Sequence, residues 1–82
     1  MQILLIIGAG VEQVRAYELG RQMGYHVVGT DMNPSAPAFA LADDTILAST
    51  RDPAETLTAV GAYLQNHPGY SLSGVMTLAN DV

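Results

Sequence analysis

The sequence predicts an α/β fold with a small parallel sheet of four strands, and two observations lead to this prediction. The chain contains four short apolar segments, and a longer segment of helical period lies between the first and second of them and another between the third and fourth. This is the order of parallel strands joined by helical crossovers. The chain has 82 residues, so we expect residues 1–82 to form a single domain. Right-handed crossovers place the helices on the two faces of the sheet and predict the strand order 3-2-1-4.

The first strand and the first helix are separated by a glycine-containing break. Residues 3–7 are five consecutive apolar residues rich in isoleucine, which is typical of a strand buried on both faces. A helical period follows over residues 11–23, and Gly24 suits the left-handed end of that helix. The face predicted to be buried consists of Ala16, Leu19, Gly20 and Met23.

The middle of the chain predicts two short strands joined by an irregular connection. Residues 25–30 are predicted to form the second strand, which ends before Asp31. Two X–Pro pairs predict a loop over residues 33–37, and residues 38–42 are long enough for one helical turn. A short third strand is predicted at residues 45–48.

The second helix has a clear start signal. Asp52 is suited to cap it, Pro53 fits the first helical position, and Glu55 is placed to reach back to the capping residue. The helix is expected to end near Asn66, and a fourth strand follows at residues 74–78. Its predicted buried face consists of Leu57, Val60, Gly61 and Leu64.

Composition excludes several classes of function. The formal net charge is −5 and the only cationic side chains besides histidine are Arg15, Arg21 and Arg51, so neither nucleic acid nor an anionic membrane is an expected partner. The absence of cysteine excludes disulfides and thiolate metal sites and fits a cytoplasmic protein. No lysine is present to hold a phosphate as in a Walker motif.

The carboxyl ends of parallel strands share one edge of the sheet, and ligands of open α/β sheets bind at that edge. Gly8 allows a tight turn there, and Gly10 allows an anion to approach the backbone where the helix begins. Gln13 stands where a dinucleotide fingerprint has its third glycine, and Asp31 follows at about the 20-residue spacing of a ribose-binding acid. The candidate substrate-binding residues are Gly8, Ala9, Gly10, Gln13, Asp31, Asn33, Asn80 and Asp81.

Each candidate also has a purely structural interpretation that the sequence leaves open. The glycines can simply form a turn, Asp31 can be a turn residue, and Asn80 and Asp81 can cap a following helix. Asp43 and Asp44 point to opposite faces of an extended chain, so we expect them to be solvated and not to bind a metal. The two histidines and four tyrosines are expected to be structural or exposed, and no catalytic set is predicted.

Taken in order, five segments of the sequence resemble the N-terminal domain of ATP-grasp ligases. The resemblance covers nearly the whole chain, and its most specific part is D-x-N-P-x-A-P-A followed by A-D. Carbamoyl-phosphate-synthase-like, biotin-carboxylase-like and purine-pathway ligases belong to this family. The segments lie at residues 6–13, 24–31, 33–38, 42–43 and 74–81.

The resemblance implies a Rossmann-like (pre-ATP-grasp) domain that binds a small-molecule substrate and is not catalytic alone. Family members join a carboxylate to a nucleophile, usually an amine, through an acyl-phosphate made with ATP and Mg²⁺, which later domains bind. It therefore implies no cofactor in this chain and a larger cytoplasmic parent enzyme whose ATP-grasp domains are its partners. The candidate residues map onto the family's substrate-side loops, with Asn80 and Asp81 in the loop after the fourth strand.

Two alternatives remain from the sequence. One is an NAD-binding half-domain of an oxidoreductase or regulator, which Gly8, Gly10 and Asp31 favour and Gln13 disfavours. The other is a stand-alone binding or oligomerisation module. Exposed sheet edges would allow such a module to form a homodimer.

Overall fold

The computed structural model describes residues 1–49 and 51–77, which include one four-stranded sheet. All neighbouring strands are parallel, and their order is β3-β2-β1-β4. The predicted fold class and strand order are confirmed. The strands are β1 (Gln2–Ile7), β2 (His26–Asp31), β3 (Asp44–Leu47) and β4 (Ser71–Thr77).

The strand bounds differ from the predicted ones by one residue in β1, β2 and β3 and by three residues at the start of β4. β4 begins at Ser71, which pairs with Gln2, whereas the apolar pattern begins only at Gly74. The early part of β4 is exposed on the rim of the sheet, where polar residues pair through their backbone without an apolar signal. The register with β1 also shifts between Ile3 and Leu4.

The predicted first helix consists of two parts. Residues Val11–Gln13 form a 3-10 turn that continues directly into α1 (Val14–Gln22), and a second 3-10 turn at Pro37–Leu41 lies in the β2–β3 connection. The second helix, α2, spans Pro53–Gln65. Each element is of the predicted type, and a 3-10 first turn is common where a helix begins.

The start of α2 confirms one predicted contact and corrects another. Asp52 Oδ1 accepts hydrogen bonds from the backbone N–H groups of Ala54 and Glu55, at 3.1 and 3.2 Å. The Glu55 carboxylate does not reach back to Asp52 and accepts from the Ser49 N–H at 3.1 Å. The Asp52 N–H already donates to the Ser49 carbonyl, so it needs no side-chain partner.

Two apolar layers cover the sheet because neighbouring side chains of a strand point to opposite faces. On one face, α1 and the 3-10 turns pack over Leu4, Ile6 and Val27. On the other face, α2 packs over a cluster that includes Ile3 and Leu5. Ala9 and Ala36, from the connections after β1 and β2, also belong to the first layer.

The buried face of α1 differs from the predicted one. Ala16 and Gly20 are buried, but Leu19 and Met23 are exposed, and Tyr17 is completely buried in their place. A Cβ at Gly20 would lie 2.7 Å from Leu4 Cδ2, so α1 lies close to the sheet at this glycine. Tyr17 packs in the same apolar cluster as Ala16, whereas Met23 follows the last residue of α1.

The predicted face of α2 is also only partly correct. Val60 is buried and Leu64 is half-buried, but Leu57 is 74% exposed and Gly61 is exposed. The tyrosine side chain of Tyr63 takes part in the packing instead. A three- to four-residue repeat defines a stripe on a helix, but the tilt of the helix on a small sheet decides how much of the stripe is covered.

Candidate functional site

The loop that follows β1, residues 8–10, is called the glycine loop below, and it is held by buried backbone contacts. Gly8 has φ +96°, a conformation that favours glycine. Its N–H donates to the Thr30 carbonyl at 2.8 Å, and its own carbonyl accepts from the Tyr17 hydroxyl at 2.8 Å. The loop is thus tied both to the end of β2 and to α1.

Asp31, the last residue of β2, clamps the glycine loop to the connection that follows β2. Its Oδ2 accepts from the Ala9 N–H at 2.9 Å, and its Oδ1 accepts from the Asn33 N–H at 3.0 Å. The Ala9 carbonyl in turn accepts from the Ala38 N–H at 2.9 Å, and Asn33 Oδ1 accepts from the Ser35 N–H at 3.0 Å. Residues from three segments of the sequence resemblance, 6–13, 24–31 and 33–38, therefore form one structural unit.

Gln13 lies directly against the glycine loop. The residue is only 8% exposed, and a Cβ at Gly10 would lie 2.9 Å from Gln13 Oε1. A Cβ at Gly8 would lie 3.3 Å from Gln13 Nε2. The side chain thus fills the space under the loop. Gly20, seven residues further along the helix, provides the close helix–strand contact that the third glycine of a dinucleotide fingerprint would give.

The charges around the glycine loop favour hydrogen-bond donors over anions. The Ala9 N–H, which an anion would have needed, already donates to Asp31, and Glu12 Oε1 would lie 3.1 Å from a Cβ at Gly10. Glu12 also complements the positive end of the helix. Burial, and secondarily the Asp31 carboxylate, raise the pKa of the Tyr17 hydroxyl well above its usual value. Tyr17 therefore remains a proton donor to Gly8 at neutral pH.

Thr30 adds an unusual polar group at this edge of the sheet. Its side chain is completely buried, and among residues 1–49 and 51–77 its Oγ1 is a buried side-chain atom without a hydrogen-bond partner. Leaving such an atom unpaired costs about 1–3 kcal/mol. Thr30 lies in register with Ile7 and Ile46, so this cost arises at the carboxyl edge, next to the glycine loop.

Asp43 and Asp44 are accessible to solvent, as expected, but both carboxylates also make hydrogen bonds that the sequence did not predict. Asp43 Oδ2 accepts from the Val27 N–H at 2.8 Å, and its Oδ1 lies 3.2 Å from Arg21 Nη1. The Arg21 guanidinium also donates to the Leu41 carbonyl at 3.0 Å. Asp43 thus connects β2 with the end of α1, and Arg21 connects both with the 3-10 turn at Pro37–Leu41. These contacts form because the β2–β3 connection returns alongside β2 at Asp43.

Asp44 belongs to a second polar group, called the histidine–tyrosine cluster, which consists of His26, Asp44, Tyr63, His67 and Tyr70. Asp44 Oδ2 lies 3.0 Å from His26 Nε2 and accepts from the Tyr63 hydroxyl at 2.6 Å. The rings of His67 and Tyr70 stack at 4.7 Å. The hydrogen bonds from His26 and Tyr63 hold the pKa of Asp44 below its usual value. His26 and Asp44 begin their strands, so this cluster lies at the amino edge, opposite the glycine loop.

The structure brings together most of the predicted site residues. Gly8, Ala9, Gly10, Gln13 and Asp31 contact one another at the carboxyl edge, and Asn33 joins them through Asp31. The two remaining predicted residues, Asn80 and Asp81, lie outside the described residues. The sequence also places the negative charge of Glu12 next to the loop, and the structure confirms this position. Sequence reasoning missed Tyr17, whose hydroxyl donates to the Gly8 carbonyl, because the helical repeat predicted other residues of α1 to be buried.

The described residues contain neither a cluster of metal ligands nor a membrane-spanning helix. In the part of the chain that the structure describes, no three histidine, aspartate or glutamate side chains come together as metal ligands would. No helix within residues 1–49 and 51–77 is long and apolar enough to cross a membrane. In comparisons with known proteins, no family model and no curated protein matches the chain.

Proposed function

We propose that this chain is the substrate-side domain of an ATP-dependent carboxylate–amine ligase of the ATP-grasp type and is not catalytic alone. The observation that carries the proposal is the double hydrogen bonding of Ala9. Its N–H donates to Asp31 and its carbonyl accepts from Ala38. This pairing joins the glycine loop to residues 31–38, which belong to the most specific part of the resemblance to that family.

The position of this unit agrees with a substrate-binding role. It lies beyond the carboxyl ends of β1 and β2, and the strand order β3-β2-β1-β4 reverses direction at β1. Ligands of open parallel sheets bind where the strand order reverses. A small molecule held there would contact the glycine loop, Gln13 and Asp31.

The proposal assigns the chemical step to other domains. Phosphoryl transfer from ATP needs cations to neutralise the phosphate oxygens, and this chain has no lysine and three arginines. One of the three, Arg21, pairs with Asp43. ATP and Mg²⁺ would therefore be bound by further domains of the ligase, and this domain would hold and orient the substrate.

The NAD-binding alternative receives less support from the geometry. In that alternative Asp31 would accept hydrogen bonds from ribose hydroxyls, and its carboxylate, which accepts two backbone N–H groups, keeps acceptor positions for them. The Gln13 side chain occupies the space under the loop, where the dinucleotide fingerprint has a glycine. The position of Gln13 suits a ligand that is smaller than a dinucleotide.

The proposal is tested on the native protein. An antibody against this domain gives its size in the source cells, and the immunopurified protein is assayed for ADP release from ATP and Mg²⁺ that depends on an added amine and carboxylate. We expect a band well above 8.6 kDa and substrate-dependent ADP release. A native species of 8.6 kDa that releases no ADP would contradict the proposal. Micromolar NAD binding by that species would then favour the NAD alternative, and a symmetric dimer indifferent to nucleotides would favour the stand-alone module.

A further inference from the structure

We propose that the group bound at the glycine loop is a hydrogen-bond donor, a primary amine in its ammonium form, and not a phosphate or carboxylate. This inference rests on the proposed function and deepens it, because it assigns the amine substrate of the ligase to this loop. Three side chains next to the loop carry the argument: Glu12, Gln13 and Asp31.

Asp31 supplies acceptor capacity beyond what the fold uses. A carboxylate offers about four acceptor positions, and the backbone N–H groups of Ala9 and Asn33 fill two of them. The residue is only partly buried, so the remaining positions are open to a ligand. Because the Ala9 N–H donates to Asp31, it is not available as a donor to an anion.

Glu12 places a second carboxylate at the loop. Its Oε1 would lie 3.1 Å from a Cβ at Gly10, and it lies in the first turn of the helix, where the helix dipole favours negative charge. A phosphate at the loop would compete with Glu12 for this position and would be repelled by Glu12 and Asp31. An ammonium group is attracted by both.

Gln13 is an independent indication of a polar ligand. The residue is only 8% exposed. Its amide faces the glycine loop, with Oε1 near Gly10 and Nε2 near Gly8. Within the described ranges, no backbone or side-chain group hydrogen-bonds this amide. Among the described residues, Thr30 Oγ1 is the only fully buried side-chain atom without a partner, so the amide atoms of Gln13 are not sealed off and a ligand at the loop can reach them. An amine donating to Oε1 would give this side chain a hydrogen-bond partner.

The arginines do not reverse this balance. Arg21 pairs with Asp43 at the far end of α1. Arg15 and Arg51 are exposed, and in the part of the chain that the structure describes neither side chain hydrogen-bonds the glycine loop or Asp31. Arg15 lies in the first turn of α1, so its contribution is tested directly below.

The test is an NMR titration of the ¹⁵N-labelled 82-residue chain with propylammonium chloride and, separately, with sodium phosphate. Sodium chloride keeps the ionic strength constant at neutral pH. We expect propylammonium to shift the backbone amides of Ala9 and Gly10 and the side-chain amide of Gln13 in a saturable way. Phosphate is expected to leave these signals unchanged.

Variants distinguish a specific site from general attraction to an acidic protein. Glu12→Gln and Gln13→Leu are expected to weaken propylammonium binding about threefold to tenfold while the remaining spectrum stays native. Glu18→Gln removes an exposed charge of the same helix and is expected to leave binding unchanged, as is Arg15→Gln. An equal loss in Glu18→Gln would overturn the inference, because binding would then follow net charge.

The outcomes also separate this inference from the proposed function. Saturable phosphate shifts, or the absence of any propylammonium shift, would overturn the inference but leave room for a ligase that binds a phosphorylated or carboxylate substrate here. Propylammonium binding by a protein that proves to be no ligase would support the donor-binding loop and contradict the proposed function. The titration needs neither ATP nor further domains, so the two results are independent.

Discussion

The hydroxyl of Tyr17 donates a hydrogen bond to the carbonyl of Gly8 at 2.8 Å, and its ring lies over Gly29. One side chain of α1 therefore sets both the position of the glycine loop and the spacing between α1 and β2. Tyr17 is the largest completely buried side chain among the described residues.

Replacing Tyr17 by phenylalanine is expected to lower the free energy of unfolding by about 1–3 kcal/mol. The ring still fills its space, but the Gly8 carbonyl loses its buried hydrogen-bond donor. Urea unfolding followed by circular dichroism measures the change. A variant as stable as the wild type would mean that water replaces the hydroxyl and that the loop does not depend on Tyr17.

Gly29→Ala is expected to destabilise the protein by about 1–3 kcal/mol, because the added methyl group would overlap the Tyr17 ring. Gly61→Ala is the matched control. It lies in α2 with no atom within 4 Å of an added Cβ, so helix propensity is expected to stabilise the protein by about 0.5–1 kcal/mol. Thermal unfolding of both variants tests the pair, and equal effects would contradict the tyrosine–glycine contact.

The two glycines of the loop are expected to respond differently to alanine. Gly8→Ala places a side chain at φ +96° and is expected to cost about 1–3 kcal/mol of stability. Gly10 has φ −72°, so Gly10→Ala displaces only the flexible ends of Gln13 and Glu12 and is expected to cost less than about 1 kcal/mol. The bulkier Gly10→Val is expected to leave the domain folded while weakening substrate binding in the parent enzyme. Full activity of that variant would make the loop a simple turn.

The histidine–tyrosine cluster predicts how stability depends on acid pH. The pKa of Asp44 is lowered in the folded protein, first by its hydrogen bond from His26 and then by that from Tyr63. A lowered folded pKa gives stability that is fully present above the unfolded value of about 4 and is lost as pH falls through the folded pKa. Asp44→Asn is expected to reduce this loss of stability at acid pH, the acid limb of the pH–stability curve. Urea unfolding across the acid range measures it, and an unchanged limb would assign acid sensitivity to other carboxylates.

The raised pKa of Tyr63 predicts how stability depends on alkaline pH. Its pKa is raised well above the usual value of about 10, first by burial and then by the hydrogen bond to Asp44. A raised folded pKa gives stability that is fully present below about pH 10 and is lost as pH rises toward the folded pKa. Tyr63→Phe is expected to reduce this alkaline loss relative to the wild type. An identical alkaline limb in the variant would contradict the contribution of Tyr63.

Local sequence patterns predicted the elements and the general location of the site. The apolar runs and helical repeats predicted every described strand and helix. Asp52 and Pro53 predicted the start of α2, which begins at Pro53. The positions of the glycine loop and Asp31 after the first two predicted strands also predicted that both lie at one edge of the sheet. These signals act over a few residues or follow from the shared direction of parallel strands, so the sequence alone expresses them.

Only the tertiary structure decided which groups partner one another. Asp31 and Ala9 are joined across 22 residues, Asp44 and Tyr63 across 19 residues, and Tyr17 replaced the predicted Leu19 and Met23 in the core. Such pairings depend on how closely each helix approaches the sheet, and Gly20 and Gly29 set that distance for α1. A repeat in the sequence identifies a helix face, whereas close packing between distant residues determines which side chains are buried and which acceptors remain open to a ligand.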